Sequence, residues 1–479
     1  MTGAGFGEGS AAGPARRELH PHALAERAWD AMTGEEEDRA CDAIPDAACR
    51  EVPGNFVLNA LNGASTKLAE QLASPGLVLP WMLGAVGAPS VLVGLLVPVR
   101  RAGALLPQLA VAGRIRAFPR RQGFWVAAGI VQAVALALMI PALLFLGPLG
   151  AGVAVVALLG VFSAASGVGS VAFKDVMAKT IPRGRRGRLL GVRATAGGML
   201  ALAAALVLRT RVAEDDSLVP YVVLLAAAAG LWLLGSGFFA LIREPEGATE
   251  GGRSALEEAR AGIHLLRTVP DFRRFVLARS FLLAAQLAGP YYALQAQAAA
   301  GMEAGTLAIM VGASSLAAIL SSPFWGRFSD ASSRRVMVAG GLWSAVTVAL
   351  ALAAGLPSAD TLDAEVLAGV TWGAGAFALV FFSSGFAEAG VRLGRKTWLV
   401  DAAPERRRPL MVAVANTAVG VMYALAAGLG VVAEVAGAWV VLVTLGGMAL
   451  LGTALAFRLP EAEALAAEGG DEPTPTRSG

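Results

Sequence analysis

Between residues 55 and 458 the chain repeats one pattern: a long apolar run, then a short polar or charged turn. A run of about 20 residues forms a helix that crosses the roughly 30 Å hydrocarbon core of a bilayer. The pattern places six such helices near 55–80, 88–113, 123–146, 150–174, 188–208 and 219–241. Six more fall near 273–299, 304–326, 335–356, 364–391, 409–432 and 437–458. The expected fold is an all-α integral membrane protein with twelve transmembrane helices. The first two runs contain internal charge, Lys67 and Glu70 in one, Arg100 and Arg101 in the other, and charge asymmetry decides in their favour. With both counted, the turns holding Arg114–Arg121, Arg183–Arg188, Arg334–Arg335 and Arg406–Arg408 share one face. Acidic residues such as Glu214, Asp215, Glu303, Asp363 and Glu434 share the other. The positive-inside rule then puts both termini in the cytoplasm, in a multi-pass protein of the cell membrane.

Composition points the same way. Of 479 residues, 56% are hydrophobic and 16% charged, and the mean hydropathy is +0.62, a combination that soluble domains of this length rarely show. The net charge of +3 resides in turns that flank apolar runs. That is an orientation signal and not a nucleic-acid footprint. Residues 1–52 form a polar cytoplasmic extension in which Thr33 and Glu36 predict a capped short helix towards Pro45. Its first residues are Gly-rich and polar, without the pattern of a cleavable signal. Cys41 and Cys49 lie in this segment, where a stabilising disulfide is not expected, and with His20 and His22 they match no common structural metal site. Residues 459–479, rich in Ala, Glu and Gly, read as a disordered cytoplasmic tail.

The runs fall into two halves. Arg120-Arg121 and Arg334-Arg335 follow long apolar runs at an offset of 335 − 121 = 214. The segment Lys174 to Pro182 answers Lys396 to Pro404 at 404 − 182 = 222, and each proline is followed by arginines. Similar offsets in the same order define a six-helix bundle over 53–242 and another over 272–458. The charged segment 243–271, with a helical stretch through Glu257–Arg260, reads as a cytoplasmic linker.

The most specific short motif is Trp325 to Val336, W-G-R-F-S-D-A-S-S-R-R-V, a charged turn between two runs. Gly326 would let two helices approach, Asp330 would serve the next helix N-terminus, and Arg334 and Arg335 would face the cytoplasm. The turn resembles the loop between the second and third helices of each half of the major facilitator superfamily. With the twelve runs, the repeat and the linker, the resemblance covers about residues 55–458. It implies two pseudo-symmetric six-helix halves and a secondary transporter of a small solute working by alternating access. It also implies that Gly326, Asp330, Arg334 and Arg335 take part in conformational gating. In the first half the equivalent turn departs from the pattern: Arg116 stands where the family has its aspartate, since 330 − 214 = 116.

Charge inside a membrane run is costly and marks function by default. Lys67 and Glu70 share a helix face and reach the same depth as Arg100 and Arg101, so Glu70 would meet an arginine across the interface. Two readings stand: a clamp fixing the first two helices, or a substrate-binding and coupling site whose surplus positive charge suits an anionic or zwitterionic solute and whose carboxylate exchanges a proton. Asn55, Asn59 and Asn62 form a polar stripe below Lys67 that reads as a wetted path. In the second half, Glu388 and Arg392 are spaced for an ion pair near a cytoplasmic helix end, where a snorkelling surface pair competes with a gating role. Gln286, Tyr291, Tyr292, Gln295 and Gln297 surround Pro290 and read as an outer substrate gate, with amphipathic packing at the bilayer boundary as the competing reading of the tyrosines.

Nothing in the sequence points to an enzyme. The three histidines fall outside the runs, and no phosphate-binding loop, metal motif or catalytic triad is apparent. The expected partners are a small-molecule substrate, the lipid bilayer and protons, with no cofactor and no metal. The competing class is a receptor or assembly factor of the same fold that transports nothing.

Overall fold

A computed structural model of the chain describes residues 51–211, 217–247, 249, 264–301, 303–357, 359–367, 370–404 and 408–462. The capped helix expected at Thr33–Pro45, the linker stretch at Glu257–Arg260 and most of the tail lie outside the described residues. The first half contains α1 (Val52–Leu72), α2 (Val78–Ala85), α3 (Ser90–Arg116), α4 (Gln122–Phe145), α5 (Pro148–Thr180), α6 (Arg183–Arg211) and α7 (Val219–Ala240). The second half contains α8 (Pro270–Phe281), α9 (Ala284–Leu287), α10 (Gly289–Ala300), α11 (Ala304–Ala331), α12 (Ser333–Ala354) and α13 (Ala359–Leu362). It continues through an antiparallel hairpin, β1 (Glu365–Leu367) and β2 (Val370–Thr371), to α14 (Trp372–Ala402), α15 (Arg408–Ala426), α16 (Leu429–Ala436) and α17 (Ala438–Phe457).

Among the described residues, ten segments are helical, long and apolar enough to cross a membrane. The chain is an all-α membrane protein with one very small hairpin. The two other expected crossings are interrupted. The run 55–80 breaks after Leu72, where Pro75 has no N–H to continue the helix and Ser74 Oγ accepts the Val78 N–H that opens α2, at 3.2 Å. The run 273–299 breaks between Phe281 and Gly289, ahead of Pro290. These breaks occupy corresponding places in the two halves. A third, at Ala427–Gly428 between α15 and α16, has no counterpart in the continuous α6.

The chain ends of both halves emerge on one face, the terminal face. On the opposite face the halves touch main chain to main chain. A Cβ on Gly289 would come within 2.8 Å of the Gly76 carbonyl oxygen, and one on Gly430 within 2.6 Å of the Val91 carbonyl oxygen, so only glycine fits either contact. Gln297 Nε2 donates to the Trp81 carbonyl at 2.8 Å, and the Val91 N–H to Glu434 Oε2 at 3.2 Å. Deeper in, α6 packs on α11 and α3 on α15, giving the two halves a long shared seam.

At the terminal face each half is fastened by a glutamate that follows its last helix. Glu244 Oε2 accepts the backbone N–H of Arg121 and of Gln122, both at 2.7 Å, at the start of α4, and its Oε1 pairs with Lys179 Nζ at 2.7 Å. Glu461 accepts from Ser332 Oγ at 2.8 Å and pairs with Arg334 at 2.7 Å, at the start of α12. The two are repeat-related, 461 − 244 = 217.

The turn expected at Trp325–Val336 is shorter than its sequence implies. Helix α11 continues through Gly326 to Ala331, because nothing between Trp325 and Ala331 breaks it, and α12 begins at Ser333. Ser332 caps α12 by accepting the Arg335 N–H at 3.1 Å, the role expected of Asp330. The backbones of Asp330 and Arg116 are helical, and their side chains lie outside the described residues.

Candidate functional site

Helix α1 carries Lys67 about 22 Å from its start at Val52. There Lys67 Nζ meets Glu70 Oε2 at 2.7 Å, and Arg100 Nη2 of α3 reaches Glu70 Oε1 at 3.6 Å. The Arg100 guanidinium also lies over the Phe162 ring of α5, 5.1 Å from its centroid, an added cation–π attraction. Arg101 turns the other way. It crosses to the second half and meets Glu388 of α14 at 3.4 Å, and Glu388 holds Arg392 at 3.6 Å.

The placement of Glu388 and Arg392 corrects the expectation of a surface pair at a helix end. The charged residues after Val391 do not stop the helix, which runs on to Ala402. Glu388 therefore sits about 24 Å from Trp372 and about 21 Å from Ala402, near the middle of α14.

Five further cations, absent from the expected site, join this group. Arg395 interacts electrostatically with Arg101, Arg392, Glu388 and Tyr423. Arg279 of α8 interacts with Arg395 and Tyr423, and Arg193 of α6 with Glu70. Lys396 interacts with Lys67, Arg392 and Arg395, and with Lys174 of α5. The basin so formed contains nine cations: Lys67, Arg100, Arg101, Lys174, Arg193, Arg279, Arg392, Arg395 and Lys396. Among the described residues its carboxylates are Glu70 and Glu388. Arg193 and Arg279 were visible in the sequence as lone arginines inside apolar runs. Arg395 and Lys396 were hidden because the run appeared to end at Val391.

Arginine–asparagine contacts flank the basin on the terminal-face side of Lys67 and Glu70. Arg193 Nη1 donates to the Asn59 carbonyl at 2.8 Å and to Asn59 Oδ1, and its guanidinium lies 4.5 Å from the Phe173 ring centroid. Arg279 Nη2 donates to Asn416 Oδ1 of α15 at 2.7 Å. The asparagine stripe of α1 is thus no wetted path. Asn59 and Asn62 are fully buried, Asn62 Nδ2 donates to the Gly235 carbonyl at 2.9 Å, and Asn55 exchanges two hydrogen bonds with the Arg243 backbone. Amides spaced along one helix face also suit fastening to neighbours, and here they bind α1 to α6 and α7.

Of the residues read as an outer gate, Tyr291, Tyr292 and Gln297 lie on the closed side of the molecule, while Gln286 meets Tyr423 beside the basin. Tyr291 and Tyr292 are buried, and the Tyr291 hydroxyl packs against Gly94 of α3. Gln286 accepts a hydrogen bond from the Tyr423 hydroxyl, and the buried Oε1 of Gln295 has no hydrogen-bond partner among the described residues. An apolar crevice lined by Leu283, Leu287, Met422 and Met448 contains none of the basin's cations.

Lys67 keeps 49% of its side-chain surface exposed and Arg392 50%, although both sit deep in their helices. The glycine contacts bring the halves together on the opposite face, and these exposed cations lie on the terminal-face side of them. No cluster of His, Cys, Asp and Glu able to hold a metal occurs among the described residues. The chemistry on offer is recognition of negative charge at the meeting line of two halves.

Residues 275–478 match the sequence model of the Major Facilitator Superfamily. The chain is 29% identical over 321 residues to an uncharacterized protein of Mycobacterium tuberculosis, Rv2209, and to its Mycobacterium bovis counterpart Mb2232. The match takes in 65% of this chain and 59% of each relative. A variant of the nucleoside transporter NupG superposes with a TM-score of 0.63 at 11% identity, over 85% of this chain and 99% of its own. The xylose transporter XylE from E. coli, in an inward open conformation, gives 0.60 at 14%, over 87% and 99%. A POT family transporter in complex with 5-aminolevulinic acid gives 0.61 at 11%, over 84% and 95%. At these identities the likeness is one of fold.

Proposed function

We propose that this chain, whose second half matches the Major Facilitator Superfamily model and whose fold is that of solved transporters of that kind, is a member of the superfamily and a secondary transporter of a small anionic solute, working by alternating access. The observation that carries this is the charge imbalance of the basin: nine cations from both halves around Glu70 and Glu388. A charge near the middle of a membrane protein needs a partner, and a solute that supplies negative charge to both halves at once would couple its own binding to their movement. The protein sits in the cell membrane with the terminal face in the cytoplasm, a placement supported by the arginine-rich turns on that face. The conformation is then inward-facing. No bond-making step belongs to this function.

Glu70 is the coupling carboxylate. An arriving anion competes for Lys67 and Arg100, the two cations that hold it. Released from them, Glu70 takes up a proton, so the solute crosses with a proton bound to the protein. The basin's access to water on one side favours transport over a purely receptor-like role, in which no opening to solute is needed.

The test is a flux screen with purified protein in liposomes, with and without an imposed pH gradient, using organic and inorganic anions, zwitterions and neutral sugars. Flux of an anion that responds to the pH gradient supports the function. Flux confined to neutral solutes would falsify the anion assignment, and no flux of any solute in folded protein would leave the receptor class standing.

A further inference from the structure

Closing the terminal face is electrostatically unlike leaving it open. While the basin is wet, water and salt screen its cations; once the face shuts, that screening goes and unpaired charge is confined in a low-dielectric space. Glu70 and Glu388 are each already shared between two cations. Arg395 and Lys396 have no ion-pair partner among the described residues, and Arg279, 9% exposed, keeps its Nε without a hydrogen bond. Movement makes matters worse. Lys174 and Lys396 are repeat-related, 396 − 174 = 222, and act on each other from opposite halves near the mouth of the basin. Shutting the mouth drives these like charges together.

We propose that the solute is a multivalent anion, bearing phosphate or several carboxylates, bound between Arg395–Lys396 of one half and Arg100–Lys174 of the other, and that the basin closes readily only around such an anion. An empty carrier then returns rarely, so exchange of one multivalent anion for another outpaces net, proton-coupled movement. This rests on the anion-transport function proposed above and adds to it the valence and the mode. A univalent anion leaves most of the surplus uncompensated, whereas a multivalent one spans the two halves and offsets the charge that opposes closure.

Closure is readable without knowing the natural solute. Spin labels at Gly187→Cys on α6 and Asp401→Cys on α14, with Cys41 and Cys49 replaced by serine, report the distance across the mouth by pulsed electron resonance. In chloride alone the long distance is expected. At matched ionic strength, inorganic phosphate or citrate should raise the ratio of short to long distances about tenfold. Neutralising the pair with Arg395→Gln and Lys396→Gln should raise it in chloride with neither anion present, while the charge-keeping Arg395→Lys should not. Response to phosphate alone or to citrate alone supports the proposal and names the chemistry. Wild-type protein that closes in chloride as readily as in phosphate and citrate overturns it. So does a folded double-neutralised protein that stays as open as wild type. The flux screen is independent: an anion transporter that closes empty would lose this proposal and keep the previous one.

Discussion

Arg279 on α8 donates to Asn416 on α15 at 2.7 Å, and the first half makes the same link with the two residue types exchanged. There the arginine, Arg193, is on α6 and the asparagine, Asn59, is on α1. The repeat relates Asn59 to Arg279, 279 − 59 = 220, and Arg193 to Asn416, 416 − 193 = 223. What the two halves share is a cation–amide link between corresponding helices, not the side of the link on which the charge resides.

That exchange predicts a rescue. Arg279→Asn or Asn416→Arg alone should lower the thermal stability of purified protein, by about 1.5–3 kcal/mol for a lost charged hydrogen bond. The double exchange, which copies the first half, should recover at least half of the loss. Two single losses that simply add in the double variant would show that the pair does not act as a link.

Glu70→Gln tests the coupling role. The variant should abolish accumulation driven by a pH gradient yet keep exchange of solute across liposomes largely intact, because it removes a proton carrier and not the anion site. Loss of both activities together, in a protein of lowered stability, would mark Glu70 as a clamp between Lys67 and Arg100.

Trans-stimulation tests the exchange mode. Liposomes loaded with unlabelled solute should take up labelled solute at least about tenfold faster than liposomes without it, the ratio expected if the empty basin closes rarely. Equal rates would count against a slow empty return.

At the seam, Gly289→Val places a branched side chain where the Gly76 carbonyl lies within 2.8 Å of a Cβ. Overpacking of this kind costs about 1–3 kcal/mol, and here it penalises only the state sealed on the opposite face. Cysteines placed near Trp81 should become more reactive from outside by about tenfold or more. Unchanged labelling would mean that the seam yields in place without opening.

Much of the fold was legible because membrane thickness imposes run length, and run length survives any detail of side-chain packing. The breaks were less so. Pro75, Pro290 and Gly428 are visible in the sequence, yet such residues are common inside membrane helices, and only the packing of Gly76 on Gly289 shows two of them to be a matched pair. Lys67, Glu70, Arg100 and Arg101 could be grouped by depth alone. Arg395 and Lys396 could not, because a charge cluster looks like the end of a span whether it faces the cytoplasm or a wet basin. The clasp of Glu244 was hidden for a different reason: the aspartate missing at Arg116 suggested a lost contact, while a carboxylate from beyond α7 serves the start of α4 instead.

The exchanged arginine and asparagine also bear on how the chain is made. In the first half the neutral Asn59 emerges first and waits 134 residues for Arg193. In the second half the cation emerges first, and Arg279 waits 137 residues for Asn416. At about 5–20 residues per second of synthesis, that is roughly 7–27 seconds during which an arginine is committed to the membrane before its own partner exists. An arginine inside the hydrocarbon resists insertion, by up to roughly 2.5–3.5 kcal/mol at a helix centre. Biogenesis of the second half is therefore the more fragile, and a completed first half, with α3 already in place to receive α9 and α10, is the shelter in which α8 waits.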